Sequence, residues 1–253
     1  MSIIASLAKT TLIEAIRNRL VWLAAVIIGV AFGLAQFLQQ VAITESREIQ
    51  AALLAALLRF STVFILAAFV IASMVRESSD KVTELLISLP APRTTYFFGK
   101  FAGYALVAVI LAMLAALPLA PFAQPAGLAI WTVSLLCELL IVTAISLFCV
   151  LTLTQTVPAF AAVAGFYLLS RSMAAMQIIA GAGHAPTAAD RAVNATVDFI
   201  ALLLPALDRM TQAGWLVESP PGPGVLGPIF LQTAVYLVLI GAAALFDLHR
   251  KNF

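Results

Sequence analysis

Three charged side chains, Arg59, Glu138 and Arg171, lie inside long apolar runs of a chain in which only 10% of residues are charged. A charge at the centre of a bilayer costs about 2.5–3.5 kcal/mol on insertion scales, so each needs a partner or a use. One acid and two bases have three uses there: an ion pair that locks helices together, the lining of a substrate path, or snorkelling to the membrane surface. A second group of residues suits mechanical work. Between Arg76 and Lys100, Val82, Leu85, Leu86 and Leu89 recur at i, i+3, i+4 and i+7, one apolar stripe on a short helix. Asp80, Lys81, Thr83 and Glu84 fall off that stripe. Pro90 and Pro92 end the helix, because neither ring supplies an N–H to continue it. A short amphipathic helix between two apolar spans suits docking to a soluble partner. The same spacing also fits an ordinary surface loop.

Covalent chemistry has few candidates. The sequence has no G-x-x-x-x-G-K-[ST] phosphate loop; Gly99-Lys100 lacks the upstream glycine and the following hydroxyl. Nucleotide hydrolysis by this chain is therefore not expected. His184 and His249 have no metal-ligand spacing, and neither G-x-S-x-G nor H-E-x-x-H occurs. Cys137 and Cys149, twelve residues apart on one apolar run, lie ~18 Å apart along a helix, too far to bridge. They read as packing residues. No metal and no cofactor is expected in the chain itself.

The elements that position these residues follow from composition. Hydrophobic residues make up 63% of the 253, and the mean hydropathy is +1.07. A soluble domain carries roughly 25% charged residues. Several runs here reach the ~20 apolar residues that cross ~30 Å of hydrocarbon as a helix. The ~10-residue alternating segments of a membrane barrel are absent. The expected fold is an all-α polytopic membrane protein of one transmembrane domain, with six spans at 20–37, 51–75, 95–117, 128–153, 157–179 and 227–246. Residues 1–19 are expected as an interfacial helix, with Ile3, Ile4, Leu7, Ala8, Thr11 and Ala15 near one face. The N-terminus does not read as a cleaved signal, since the first apolar run is long enough to span and no small-x-small site follows it. Only Thr154-Gln-Thr156 separates spans four and five, a tight antiparallel pair. Residues 180–226 form an external segment whose helical spacing breaks at Pro205; its apolar run is too short to span, so interfacial or partly re-entrant short helices are expected.

Charge sets the orientation. Lys9, Arg17, Arg19, Arg76, Lys81, Arg93, Lys100, Arg250 and Lys251 fall on one side, against Arg47, Arg191 and Arg209 on the other. Basic residues collect on the cytoplasmic side, which places both termini and the 76–100 segment there, in a bacterial-type plasma (inner) membrane. Glu138 and Arg171 then lie ~21–23 Å from the cytoplasmic ends of their spans, able to face each other across the hairpin. Arg59, seventeen residues from Arg76, reaches a similar level.

The order of these elements resembles the permease subunits of the ABC-2 family of ATP-binding-cassette transporters, over essentially the whole chain. The resemblance is carried by Glu14-Ala-Ile-Arg-Asn-Arg19, by Glu77…Thr83-Glu-Leu-Leu-Ile-Ser-Leu-Pro90…Arg93…Gly99-Lys100, and by Leu204-Pro-Ala-Leu-Asp-Arg209. It implies that residues 77–90 are a cytoplasmic coupling helix. Glu77, Asp80, Val82, Glu84, Leu85, Leu86, Leu89 and Arg93 would then meet a separate ATPase that binds ATP and Mg. Glu14, Arg17 and Arg19 of the interfacial helix would touch the same ATPase. Further partners implied are a second permease copy (homodimer or paired homologue), membrane lipid and an external or periplasmic protein, with no nucleic acid. The expected function is the permease subunit of an exporter, coupling ATP hydrolysis to substrate movement or force transmission. The scarcity of polar groups in the spans favours an amphiphilic or lipid-linked cargo over a small ion. A non-transporting anchor that recruits a cytoplasmic partner is the competing class. Secondary transporters usually show repeated halves and Gly/Pro-broken spans, which spans two to five lack.

Overall fold

A computed structural model gives the fold and describes residues 3–17, 22–24, 26–31, 33, 46–79, 93–181, 188–217 and 221–250. Among the described residues every regular element is helical. The principal helices are α1 (Ile3–Arg17), α2 (Ser46–Ser79), α3 (Arg93–Ala116), α4 (Pro125–Leu153), α5 (Thr156–Gly181), α6 (Ala188–Leu203), the single turn α7 (Gly214–Val217) and α8 (Leu226–Arg250). Of these, α2, α3, α4, α5 and α8 are long and apolar enough to cross a membrane. A shorter apolar helix runs over Trp22–Ala31. It falls within the expected first span, 20–37, most of whose remainder lies outside the described residues.

Helix α4 is the centre of the bundle. It packs against α2, α3, α5 and α8, and its middle is buried on all sides, from Trp131 and Leu135 through Leu139 to Val142 and Leu147. A helix surrounded by helices has no need of an amphipathic pattern. Pro125 sits in its first turn, where a missing N–H costs nothing. Thr154 ends it in the left-handed conformation (φ 55°), its N–H returned to the Val150 carbonyl. Thr154 and Gln155 are the whole connection to α5.

The second expected span, 51–75, lies within one longer helix of 34 residues, Ser46–Ser79, about 51 Å long. Nothing between Ser46 and Ser79 is Gly or Pro, so the helix runs unbroken from the largely polar residues 46–50 into the apolar run. Aromatic rings fasten it to α5: Phe60 and Phe64 each meet Tyr167 edge-on at 5.8 Å between centroids, and Phe64 also meets Phe160.

Helix α1 lies along α3. The stripe expected on its inner face supplies buried Ala8, Thr11 and Ala15, while Ile4, Ile13 and Ile16 stay exposed. Two glycines of α3 make the approach close. A Cβ on Gly99 would come within 2.8 Å of Leu7, and one on Gly103 within 2.7 Å of Thr11. Gly99-Lys-Phe-Ala-Gly103 is thus a small-residue groove of the kind that lets membrane helices touch. At the other end of the bundle the chain between α6 and α8 turns inward. Pro205, Leu207, Met210, Thr211, Trp215 and Leu216 are buried there. The Trp215 carbonyl occupies the space beside Gly127 where a Cβ would sit.

Candidate functional site

Two polar clusters lie seventeen residues apart on α2. The first joins α1, α2 and α3 where α2 ends. Arg76 pairs with Glu14 at 2.8 Å. The Ser73 hydroxyl donates to the same Glu14 oxygen at 2.8 Å and accepts from the Tyr104 hydroxyl at 3.0 Å. Glu77 pairs with Lys100 at 2.7 Å and accepts from the Tyr96 hydroxyl at 3.3 Å. The two ion pairs differ in weight. Arg76 is half exposed, so its pairing contributes little in solvent. Lys100 is only 4% exposed, so removing Glu77 would strand a buried cation. Beside this cluster an open groove of about 360 Å³ is lined by Thr10, Ile13, Glu14, Arg17 and Arg76.

The structure therefore places Glu14 with Arg76, and Glu77 with Lys100, in two neighbouring sets of bonds, with Arg17 at the exposed edge. Arg93 opens α3. Asp80, Val82, Glu84, Leu85, Leu86 and Leu89, expected on the coupling helix, and Arg19 lie outside the described residues. Ser73, Tyr96 and Tyr104 were not singled out in the sequence. The available signal was a hydroxyl inside an apolar run, which must find a partner when buried.

The second cluster gathers all three intramembrane charges. Arg171 stands 3.7 Å from Glu138, whose carboxylate is fully buried. The contact is long because both groups have closer partners. Glu138 accepts from the Tyr167 hydroxyl at 2.8 Å and from the Thr211 hydroxyl at 2.7 Å. Arg171 donates to the carbonyls of Leu207 and of Met210 (3.0 Å) and to Thr211 Oγ1 (3.2 Å). Arg59 donates to the Thr211 carbonyl at 3.1 Å and lies 5.0 Å from the Phe60 ring centroid, a cation–π contact. The three charges converge less on each other than on the inward turn between α6 and α8. Thr211 and Ser134, which bonds the Thr211 N–H at 3.0 Å, gave no signal in the sequence. Neither belongs to a motif.

Near this turn Gln177 of α5 donates to Asp198 of α6 at 3.2 Å. Both face a groove of about 300 Å³ with Asp208 and Arg209. Among the described residues no group of three or more His, Cys, Asp or Glu could hold a metal ion.

Spanning helices packed on a central one, with buried polar clusters toward both ends, define a multi-pass membrane protein. A family model described as ABC-2 family transporter protein matches residues 36–245. The chain belongs to that family. Its members are membrane subunits and not themselves ATPases, and membership implies pairing with an ABC ATPase subunit. No curated protein matches the chain.

Proposed function

We propose that this chain is the membrane-spanning subunit of an ATP-driven exporter, and that its 77–90 segment receives the stroke of the ATPase. The observation that carries the proposal is the interlocked end of α1, α2 and α3. Glu77 and Arg76 lie in the last turn of α2, Lys100 lies two turns into α3, and all three helices share the Glu14–Ser73–Tyr104 relay. Residues 80–92 link the two clamped ends. A force applied to that link by closing ATPase subunits reaches two spanning helices and α1 together. In this reading Val82, Leu85, Leu86 and Leu89 enter a cleft of the ATPase, with Asp80, Glu84 and Arg93 at its rim. Arg17 and Arg19 of α1 touch the same subunit. The bias of Lys and Arg toward this end supports a cytoplasmic placement. Two copies, or this chain and a paired homologue, enclose the path of an amphiphilic cargo.

The test is a mild-detergent pull-down of the tagged chain from its native membranes. A near-stoichiometric ATP-binding subunit with vanadate-sensitive hydrolysis is expected. Glu84→Lys with Leu85→Asp is expected to abolish that co-purification while the membrane chain still elutes as a folded species. Unchanged co-purification in the double variant would remove the 77–90 assignment.

A further inference from the structure

Helices α3 and α8 both pack on α4 and touch each other only lightly. Between them runs a cleft of about 470 Å³, lined by apolar residues alone. Phe97, Phe98 and Phe101 of α3 form one wall, Leu245 of α8 stands on the other, and Ala144 of α4 lies at the back. The Phe97 and Phe101 rings stack at 6.4 Å between centroids, and Phe98 meets Phe97 edge-on at 5.6 Å. Such a wall is stiff, because each ring turns about only two bonds. Gly241 of α8 faces it. A Cβ there would lie 3.9 Å from Phe97 Cε1, an ordinary contact with nothing nearer. The contrast with Gly99 and Gly103 is direct. Those glycines let a helix press on α3, whereas Gly241 leaves open space.

What fills the cleft must be apolar, since a slot without an occupant forfeits the dispersion contacts of its walls. Depth selects among apolar occupants. Ala144 belongs to the helix behind α3 and α8, and neighbouring helices pack about 8–10 Å apart between axes. A helix of a second copy, roughly 10–12 Å across with its side chains, does not reach that depth. A hydrocarbon chain does.

Charge at one end of the cleft identifies the rest of the occupant. Helix α3 starts at Arg93, one turn before Phe97, and α8 ends in His249 and Arg250, about one turn past Leu245. By helical spacing His249 continues the stripe of Val238, Ala242 and Leu245 that lines the cleft. Arg250 is exposed. Asp247, the single acid of α8, turns instead to α4, where its carboxylate accepts from the Thr152 hydroxyl at 3.1 Å. A phosphate diester at this mouth meets cations. A second copy in the same orientation would bring its own basic ends to the same level, where like charges repel.

We propose that the cleft between α3 and α8 is a binding site for one anionic phospholipid. An acyl chain lies between Phe97 and Gly241 against Ala144, and the phosphate sits at the basic ends of α3 and α8. The site needs only the multi-pass membrane class and stands apart from the exporter reading.

The full chain is purified in mild detergent and supplied with equal amounts of phosphatidylglycerol and phosphatidylcholine of the same acyl chains. It is then weighed intact by native mass spectrometry. One retained phosphatidylglycerol per chain is expected, in preference to phosphatidylcholine. Gly241→Leu fills the cleft without straining the backbone, and is expected to lower that occupancy on the order of tenfold. Arg93→Gln with Arg250→Gln is expected to leave a lipid bound but to bring the two lipids to parity. Unchanged phosphatidylglycerol in Gly241→Leu would overturn the acyl-chain site. Equal retention of both lipids by the unaltered chain would overturn the anionic headgroup, and a preference that survives the double arginine variant would overturn the position of the phosphate. Loss of a dimer in Gly241→Leu with lipid unchanged would overturn the proposal and give the face to a second copy. If Gly241→Leu does not accumulate, Ala242→Leu on the exposed rim narrows the cleft under the same criterion.

Discussion

Lys100 and Glu138 show how differently buried charges are satisfied in this protein. Lys100 has a carboxylate partner at 2.7 Å, a simple pair. Lys100→Met leaves Glu77 facing Tyr96 without its cation, and is expected to lower stability by about 3 kcal/mol, the lower end of the range for a broken buried pair because Glu77 is partly exposed. Thermal unfolding in detergent reads the loss, and restoration by Lys100→Arg shows that charge is responsible. Glu138 and Arg171 behave otherwise. Exchanging them (Glu138→Arg with Arg171→Glu) keeps the pair but aims a carboxylate at the carbonyls of Leu207 and Met210, which cannot donate. The double exchange is expected to express no better than either single change, and full rescue would show that the ion pair outweighs the loop contacts. The existence of both clusters was half legible in the sequence. A charge inside an apolar run announces that it needs a partner, so Arg59, Glu138 and Arg171 stood out. Thr211 did not, because a lone threonine in a connection carries no such cost until the chain folds inward around it.

At the scale of elements, the long helices are the most legible part of the molecule, since length and hydropathy decide them locally. Their seating is less so. Gly99 and Gly103 look unremarkable in an apolar run until α1 is laid across them, for it is the partner helix that makes a glycine groove meaningful. Gly103→Leu is expected to displace α1 from α3 and to expose Thr11, read as a new protease-sensitive site between α1 and the first apolar helix. Intact α1 in that variant would mean that the groove is not what holds it. Gly127→Ala tests the opposite end in the same way. Its methyl meets a backbone carbonyl, not a flexible side chain, so overpacking of roughly 1–3 kcal/mol is expected.

For the whole molecule, composition alone defined a multi-pass membrane protein, and the family match over residues 36–245 agrees with the class the element order suggested. The number of spans decides the sidedness of the two ends. Six spans put both termini on one side of the membrane, whereas five put them on opposite sides. Tags at the two ends, probed in intact cells, are expected to report the same side. The seat of α1 on α3 has a further consequence, for how the protein is made. Helix α1 leaves the ribosome before α3, and Gly99 and Gly103 follow Leu7 and Thr11 by about ninety residues. At the ~5–20 residues per second of synthesis, α1 has no groove to enter for roughly 5–20 s. During that interval its apolar stripe must rest on the bilayer surface or on an assisting protein. A nascent chain halted before residue 93 should therefore still carry an N-terminal helix open to outside reagents, and the completed chain should not.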